Sequence, residues 1–489
     1  MSRATDAEAA EIAELRDRFD IRKDTKLGVN DIGWLRVFAT EEFARPLARD
    51  GFARITASHL KEISQREPRL MAKHDYSSSR PWPFRKYGLS VVPLSRDTYL
   101  VGKFGLYQQF ERGPQPTRRL PVPADIESLD FSQITSESLA LAAADLSGIL
   151  EDFIGSAPLR STVSGRMSTH QIPLRLDGRD FTVDRAQMEI DGGYESADCL
   201  MLIEAKNHLP EDFNIRQLYF PYRRFRQVVS KPVLPVYLLY SNGVFHLFLY
   251  AFDDENDPRS IRQVRSARYC LGSTQLTAAS LLDAIERTRV VPEPAAAPFP
   301  QADSFARVVN LCELLAASEA PLTKDYIHTA YGFTARQADY YANAAAYLGL
   351  VRISQRGVTL TELGEQVMAL DDLDARNFAI VERLAARRVF RTAAQRALAG
   401  EKIGRDEAEE IMRGADLGLG ESTLKRRAAT VAAWTEWVRD LDHAAQAEPP
   451  AGQPGLWEED LPQAVDRQQD AGHQEEGAGG DVDPGAGRQ

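Results

Sequence analysis

The sequence predicts an α/β protein whose central unit is built on a mixed β-sheet. Within residues 126–292, a helical pattern is followed by strand-like runs, a second helical pattern and two more strand-like runs. Helices that alternate with strands are typical of an α/β unit. Two apolar runs also flank Ser241-Asn242-Gly243, and Asn-Gly in that position is a strong hairpin signal. Together these patterns favour a sheet of mixed strand direction.

An α+β region is predicted before this unit, over residues 1–125. The runs at residues 89–95 and 98–102 have the composition of two short strands, joined by a turn at Arg96-Asp97. Residues 111–125 are rich in proline and arginine, so we expect them to form a connector.

The elements of the central unit follow from the spacing of apolar residues. They recur on one side of residues 136–154, which predicts a helix. A second helix is predicted over residues 214–229, with Asn214 as its N-cap. The predicted strands begin at residue 162 and continue at 182–183, 188–191, 199–205, 233–240 and 244–251.

A C-terminal all-α region with a winged helix is predicted after residues 292–300, whose four prolines indicate an extended spacer. Residues 303–370 read as three helices and a β-hairpin, the order of a winged helix-turn-helix. Residues 371–443 are predicted to be helical. The acidic, glycine-rich residues 444–489 are expected to be disordered, because they cannot bury enough apolar surface.

Charge permits a nucleic-acid partner in spite of a formal net charge of -12. From Glu448 onward the chain has 10 acidic and 2 basic residues, so the excess lies mainly in the tail. Binding of phosphate requires a local basic surface rather than a basic total. No apolar run approaches the ~20 residues of a membrane span, and the charged N-terminus does not resemble a secretion signal. We therefore expect a cytoplasmic protein without a membrane partner.

The chemistry is concentrated around two predicted strands. Residues 199–205 are apolar except at Glu204, which predicts a strand buried on both faces. Lys206 shares a face with Glu204, because side chains alternate along a strand. Asp191 ends the preceding strand at Gly192-Gly193, where a turn would bring it beside Glu204. Such buried charges are costly unless they are paired or bind a metal.

Carboxylates beside a lysine suit the hydrolysis of phosphodiesters. Carboxylate oxygens bind Mg²⁺ while several waters are kept, and the bound ion polarises the phosphate and lowers the pKa of a water. A lysine orients that water or stabilises the charge that develops on the phosphate. The predicted metal ligands are Asp191, Glu204 and Glu189, which shares a face with Asp191. The alternative is a structural cluster of ion pairs.

The pattern of Asp191 followed by Glu204-Ala205-Lys206 resembles the signature of the PD-(D/E)xK nuclease superfamily. Ile190 stands where proline is usual. The resemblance implies a mixed-sheet nuclease core in which Asp191, Glu204 and Lys206 are catalytic.

Many members of this superfamily carry two further polar residues on flanking helices. A glutamine on the following helix is matched by Gln217. For an acid on the preceding helix we select Glu151, with Asp145 and Asp152 as alternatives.

A wider resemblance, to bacterial type II restriction endonuclease-like proteins, covers roughly residues 30–290. The similar segments include Arg66-Glu-Pro-Arg-Leu-Met71, Ser164-Gly-Arg-Met167 and Asn214-Ile-Arg-Gln-Leu-Tyr-Phe-Pro-Tyr222. The resemblance implies sequence-specific, Mg²⁺-dependent cutting of double-stranded DNA. A homodimer and a cognate DNA methyltransferase in the same restriction-modification system are expected. The alternatives are a repair or defence nuclease for modified or branched DNA, and a non-catalytic winged-helix regulator.

Candidate DNA contacts lie near residue 69, in the similar segment at residues 164–167, on the helix after Lys206 and at the basic start of the last helix. Others lie on the third helix of the predicted winged helix, which suits a recognition helix in a major groove. The candidates are Arg69, Arg166, Arg216, Arg223, Arg336, Gln337, Lys425 and Arg426. These side chains also have a plainer interpretation as solvated surface, and winged helices serve as protein-docking modules too.

Overall fold

The computed structural model has a mixed α/β fold with a helical C-terminal region, so the predicted class is confirmed at that level. It describes residues 6–112, 115–272, 276–295, 297–331, 335–370 and 372–442. The predicted acidic tail, residues 444–489, lies outside the described residues. None of the helices in the described ranges combines the length and the apolar character that a membrane span requires.

The N-terminal region packs short helices against a small antiparallel sheet. Its elements are α1 (Asp6–Arg18), α2 (Val29–Ala39), α3 (Glu41–Asp50), β1 (Phe52–Thr56), α4 (Ala57–Ser64), α5 (Pro68–Ala72), α6 (Trp82–Tyr87), β2 (Ser90–Pro93), β3 (Thr98–Gly102) and β4 (Tyr107–Gln109). Strand β3 lies between β1 and β2 and is antiparallel to both. The two predicted strands are confirmed as β2 and β3, whereas β1 was not predicted.

The central unit contains the strands and helices that position the site. Its elements are β5 (Thr117–Leu120), α7 (Glu137–Leu146), α8 (Ile149–Ile154), β6 (Arg160–Ser168), β7 (Ile172–Leu176), β8 (Arg179–Val183), β9 (Gln187–Glu195), β10 (Leu200–Lys206), β11 (Asp212–Asn214), α9 (Arg216–Arg226), β12 (Val233–Ser241), β13 (Val244–Phe252), β14 (Ile261–Leu271) and α10 (Ala278–Arg287). Within the described residues, seven strands form one sheet in the order β5-β14-β13-β12-β10-β9-β6. Strand β10 is parallel to β12 and antiparallel to β9, so the sheet is mixed as predicted.

Strand β10 is buried on both faces of the sheet, as its apolar run predicted. Leu200 and Leu202 belong to the core that includes α9, whereas Met201 and Ile203 belong to the core under α7 and α8. Because side chains alternate along a strand, the charged residues at its end continue the α9 face.

Several elements of the central unit differ from the prediction, and two of them show why. The helix predicted over residues 136–154 is broken, because Gly148 adopts a positive φ of 75° between α7 and α8. The predicted connector at residues 111–125 contains β5, an edge strand that pairs in parallel with β14. Its arginine-rich sequence gave no strand signal, since edge pairing depends on a partner distant in the chain.

The hairpin predicted at Asn242-Gly243 is confirmed. Strands β12 and β13 are antiparallel, with Ser241 opposite Val244. Asn242 and Gly243 have φ of 48° and 69°, the positive values that a tight two-residue hairpin turn requires.

The C-terminal region contains helices and one small hairpin. Its elements are α11 (Phe305–Ala316), α12 (Lys324–Tyr331), α13 (Ala335–Tyr347), β15 (Val351–Ser354), β16 (Gly357–Leu360), α14 (Glu362–Met368), α15 (Leu373–Ala385), α16 (Arg388–Leu398), α17 (Arg405–Gly414) and α18 (Glu421–Arg439). Elements α11 to β16 follow the order predicted for a winged helix: three helices and then an antiparallel hairpin.

The spacer predicted at residues 292–300 is packed onto the C-terminal helices. Phe299 stacks on Phe390 with ring centroids 5.7 Å apart, and Arg387 donates to the Pro292 carbonyl at 2.7 Å. The C-terminal region also contacts the sheet directly, because the Glu313 carboxylate accepts the Asn242 backbone N–H at 3.0 Å. The described residues of the predicted extended spacer thus form neither helix nor strand, yet they are held at several points.

Candidate active site

The hairpin of β9 and β10 brings the three predicted catalytic residues together. Its ladder runs from Leu200 opposite Glu195 to Ile203 opposite Gly192, which brings Asp191 level with Glu204. The predicted turn at Gly192-Gly193 is wrong, because both glycines lie inside β9 and the chain reverses after Glu195. Gly193 is required there by close packing: a Cβ atom would lie 2.2 Å from Val163 Cγ2.

The Lys206 ammonium is the centre of a cluster of carboxylates. Its Nζ atom lies 2.8 Å from Glu204 Oε1, 3.7 Å from Asp191 Oδ2 and 3.5 Å from Glu137 Oε1. Side-chain exposures are 11% for both Glu204 and Lys206, 23% for Asp191 and 38% for Glu137. The cluster is therefore largely withdrawn from solvent, with one open side near the helix that carries Glu137. We refer to these four residues as the Lys206 cluster.

Asp191 is oriented by the backbone of the neighbouring strand. Its Oδ2 atom accepts the Ala205 N–H at 2.8 Å, just past the last ladder pair of β9 and β10. The carboxylate thus replaces a backbone acceptor where the two strands separate. This arrangement fixes one oxygen of Asp191 beside Lys206.

Gln217, predicted from the resemblance, lies at the cluster. Its Nε2 atom donates to Glu204 Oε1 at 2.5 Å from the first turn of α9. The Gln217 Oε1 atom and the Tyr237 hydroxyl are both buried without a hydrogen-bond partner among the described residues. Tyr237 is the register partner of Glu204 on β12. The α9 face beside Glu204 therefore holds polar atoms that no side chain or backbone group of the described ranges satisfies.

Burial and crowding of negative charge shift the ionisation of the cluster. Burial, together with the nearby Asp191 charge, raises the pKa of Glu204 to about 7 against the pull of Lys206. Burial also raises the pKa of Glu137 above its usual value. Burial opposes the charged form of Lys206, yet the surrounding carboxylates hold its pKa well above its usual value. Lys206 is therefore a cation at neutral pH.

The helical acid that joins the cluster is Glu137, which corrects the selection of Glu151. Ser136 caps α7, and Glu137 is the first residue of that helix. Glu151 lies on α8, where its carboxylate accepts the Leu159 N–H at 2.9 Å. The two alternatives have other surroundings as well. Asp152 pairs with Arg118 at 2.6 Å. Burial and the nearby charge of Glu151 raise the pKa of Asp145. Glu137 was recognisable in the sequence only as the residue that follows a serine cap.

Glu189 lies outside the Lys206 cluster, which corrects its prediction as a metal ligand. It is 52% exposed and contacts Arg166 at 3.4 Å and Arg69 at 3.9 Å. Arg166 is its cross-strand partner on β6. Both arginines were predicted to contact DNA, and both remain 60% exposed. We refer to these three residues as the Glu189 cluster.

The arginines of α9 divide into two kinds. Arg216 is half-buried next to Gln217, and no ion pair of the described residues involves it. Arg223 is only 6% exposed and pairs with Glu255 at 2.6 Å. Its prediction as a DNA contact is wrong, because a guanidinium neutralised in the core is not available to phosphate.

The predicted DNA contacts of the C-terminal region differ in whether they are exposed to solvent or contact another part of the protein. Lys425 and Arg426 are exposed near the start of α18. Gln337 on α13 donates to Glu211 Oε1 of the central unit at 2.7 Å. The Arg336 side chain lies outside the described residues.

The ligand chemistry of the Lys206 cluster suits Mg²⁺ at two carboxylates. Among the described residues, no group of three or more His, Cys, Asp and Glu side chains forms a metal cage. Mg²⁺ in proteins is commonly bound by one or two carboxylates together with water and substrate phosphate. Asp191 and Glu204 meet that requirement, and three carboxylates around one ammonium leave an excess of negative charge that a cation would offset.

Three family models match successive parts of the chain. Each is described as a domain of unknown function: DUF6996 over residues 31–101, DUF6997 over residues 102–270 and DUF7226 over residues 307–443. The Lys206 cluster and Gln217 lie in the second of these. No curated protein and no solved structure matches the chain.

Proposed function

We propose that this protein is a Mg²⁺-dependent endonuclease that hydrolyses phosphodiester bonds in double-stranded DNA. The observation that carries the proposal is the meeting of Asp191, Glu204 and Lys206 where β9 and β10 separate, with Nζ within 3.7 Å of both carboxylates. Two acids and a lysine on adjacent strands support a PD-(D/E)xK type of core, in agreement with the resemblance of the sequence.

Asp191 and Glu204 would hold the cation, and Glu137 would border it. Bound Mg²⁺ would polarise the phosphate and lower the pKa of a coordinated water. Binding requires the ionised carboxylate, so the elevated pKa of Glu204, about 7, makes cation binding stronger as the pH rises through neutrality.

Lys206 acts as a fixed positive charge and hydrogen-bond donor. Because its pKa is raised, it does not serve as a general base at neutral pH. Its ammonium instead orients the attacking water and stabilises negative charge on the phosphate in the transition state. Gln217 keeps Glu204 in place through its amide N–H, at 2.5 Å.

Two exposed arginines and the half-buried Arg216 define how the duplex would approach. Arg69 and Arg166 flank Glu189, two residues along β9 from Asp191. Arg216 precedes Gln217 on α9. Phosphate contacts by such arginines position a duplex without reading its sequence. From the resemblance, we also propose that the enzyme cuts at specific sequences, as a type II restriction enzyme does. On the same ground, we propose that it is a homodimer and that a cognate DNA methyltransferase belongs to the same system.

The test is cleavage of plasmid DNA by purified protein in Mg²⁺, with Lys206→Ala and Lys231→Ala compared in parallel. Lys231 is a matched control, because it also pairs with a hairpin carboxylate, Glu195 at 2.7 Å, but at the other end of the ladder between β9 and β10. We expect discrete fragments from the wild type and Lys231→Ala, and intact plasmid from Lys206→Ala.

Intact plasmid with every DNA and divalent cation tried, together with sequence-specific binding in EDTA, would favour the alternative of a non-catalytic DNA-binding regulator. Cleavage confined to modified or branched DNA would favour a repair or defence nuclease. The sequences at the cut ends decide whether the enzyme is site-specific.

A further inference from the structure

Residues 207–211 leave the sheet directly after Lys206, and we call them the exit loop. The ladder between β10 and β12 ends at Lys206 opposite Leu239, and strand pairing resumes only at Asp212, where β11 pairs with β4. Strand pairing therefore does not hold residues 207–211. The Asn207 side chain instead donates to the Thr135 carbonyl at 3.0 Å, which ties the loop to the start of α7.

The C-terminal region holds the exit loop from one side. Arg307, which is 5% exposed, donates from Nε to the Leu209 carbonyl at 2.7 Å. It also pairs with Glu211 at 3.3 Å, and Gln337 donates to the same carboxylate. Asn310 donates to the Asn207 carbonyl at 3.3 Å. The position of the loop therefore depends on helices α11 and α13.

The N-terminal region reaches the exit loop through Tyr76. The Tyr76 hydroxyl and His208 Nε2 are 2.9 Å apart, and Tyr76 is only 6% exposed. The imidazole also contacts the Tyr331 ring of α12, with ring centroids 5.6 Å apart and ring planes at 74°. His208 thus lies between side chains from two regions that are distant in the sequence.

His208 does not have the properties of a catalytic acid or base. Its Nε2 atom is occupied by Tyr76, and burial lowers its pKa to about 3. Because the imidazole is neutral and contacts two tyrosines, it holds the exit loop in position and does not transfer a proton. Because His208 is two residues from Lys206, a displaced loop moves the lysine backbone relative to Asp191 and Glu204.

We propose that His208 is a positioning residue, docked between Tyr76 and Tyr331, that fixes the backbone at Lys206 when both flanking regions are in place. Its effect on catalysis rests on the proposed function, whereas its effect on the exit loop does not.

The first test is hydrogen exchange of the exit loop in the full-length chain without DNA. Tyr76→Phe removes one hydroxyl and keeps the ring. We expect the backbone amides of Asn207, His208, Leu209 and Glu211 to exchange about tenfold faster in this variant, because the loop opens more often. Tyr269→Phe is the matched control: it removes another buried hydroxyl, which donates to Asp152 at 2.6 Å, and exchange in the loop stays unchanged. Equal loop exchange in Tyr76→Phe and wild type overturns the proposal, whatever the cleavage result.

The second test separates binding from chemistry. In single-turnover cleavage, Tyr76→Phe lowers the rate about 10- to 100-fold, as small misplacements of a catalytic group do, while the Kd for duplex DNA in Ca²⁺ changes less than about twofold. His208→Phe, which keeps the ring against Tyr331, gives the same split and serves if Tyr76→Phe folds poorly. A loss that appears in Kd and not in the rate contradicts a positioning role. If the wild type cuts no DNA, the proposed function is wrong. The exchange experiment then still decides whether the contact of His208 with Tyr76 holds the exit loop.

Discussion

Asp191 and Glu189 lie two residues apart on the same strand, yet they belong to clusters of opposite character. Asp191 is 23% exposed and contacts a lysine that already has two other carboxylate neighbours. Glu189 is 52% exposed and is flanked by two arginines, Arg69 and Arg166. The first cluster has an excess of negative charge and attracts a cation. The second has an excess of positive charge and attracts phosphate.

The difference arises from the strands beside β9. Strand β10 pairs only with residues 192–195 of β9, so its charged end reaches Asp191 and not Glu189. At Glu189 the neighbour on β6 is Arg166. Spacing of two residues therefore determines a shared strand face, while the neighbouring strand determines the charge around each side chain.

The largest expected effect separates the two clusters by cleavage rate. Asp191→Asn is expected to lower single-turnover cleavage in Mg²⁺ by about 10³-fold, because the site loses a charged ligand beside Lys206. Glu189→Gln is its matched control on the same strand and should keep cleavage within a few-fold of wild type. Equal losses in the two variants would show that Glu189 also belongs to the catalytic centre.

The second effect concerns stability and pH. The pKa of Glu204 is raised from 4.5 to about 7 in the folded protein, so the protonated carboxyl favours the folded state. This contribution is complete below the unfolded pKa and is lost as the pH rises through the folded pKa. Wild type should therefore lose roughly 2 kcal/mol of unfolding free energy relative to Glu204→Gln between about pH 5 and pH 8.

The measurement is urea unfolding of both proteins at the two pH values. Millimolar Mg²⁺ should restore stability to wild type at the higher pH, since a ligand of the folded state stabilises it, and should leave Glu204→Gln unchanged. A difference between the proteins that is independent of pH would contradict the assigned ionisation.

The third effect shows whether Glu137 or Glu151 is the helical acid that contributes to cleavage. Glu137→Gln is expected to reduce cleavage or Mg²⁺ affinity by about tenfold, as loss of a group that borders a metal site does. Glu151→Gln removes an acceptor of the Leu159 N–H and should change stability alone. Cleavage assays across a Mg²⁺ titration distinguish the two variants. A larger catalytic loss in Glu151→Gln would show that Glu151, and not Glu137, is the helical acid of the site.

The smallest effect tests the Glu189 cluster as a DNA-binding surface. Arg69→Ala and Arg166→Ala should each weaken duplex binding a few-fold and reduce the slope of log Kd against log salt concentration by about 1. The control is Arg413→Ala, which should leave the slope unchanged. Arg413 lies on α17 and pairs with Glu421 at 3.0 Å. Unaltered slopes in all variants would remove these arginines from the interface.

Sequence reasoning succeeded where chemistry and periodicity lie within one short segment. The apolar run ending in Glu204 and Lys206 was sufficient to predict a buried strand with both charges on one face. Asn242-Gly243 was sufficient to predict a hairpin turn. The prediction of a turn at Gly192-Gly193 failed, because a glycine required by close packing, as Gly193 is against Val163, has the same appearance in a sequence as a glycine in a turn.

Spacing within one segment was sufficient to predict the α/β class and the buried strand that carries Glu204 and Lys206, because alternation is a local property of the backbone. Asp191 was expected beside Glu204, but through a turn at Gly192-Gly193, whereas the chain reverses after Glu195. Packing between distant elements brings Glu137 rather than Glu151 to Lys206, places arginines beside Glu189, buries Arg223 and brings His208 into contact with Tyr76 and Tyr331. These contacts link residues far apart in the chain, and their partners are set by how helices and strands pack rather than by spacing.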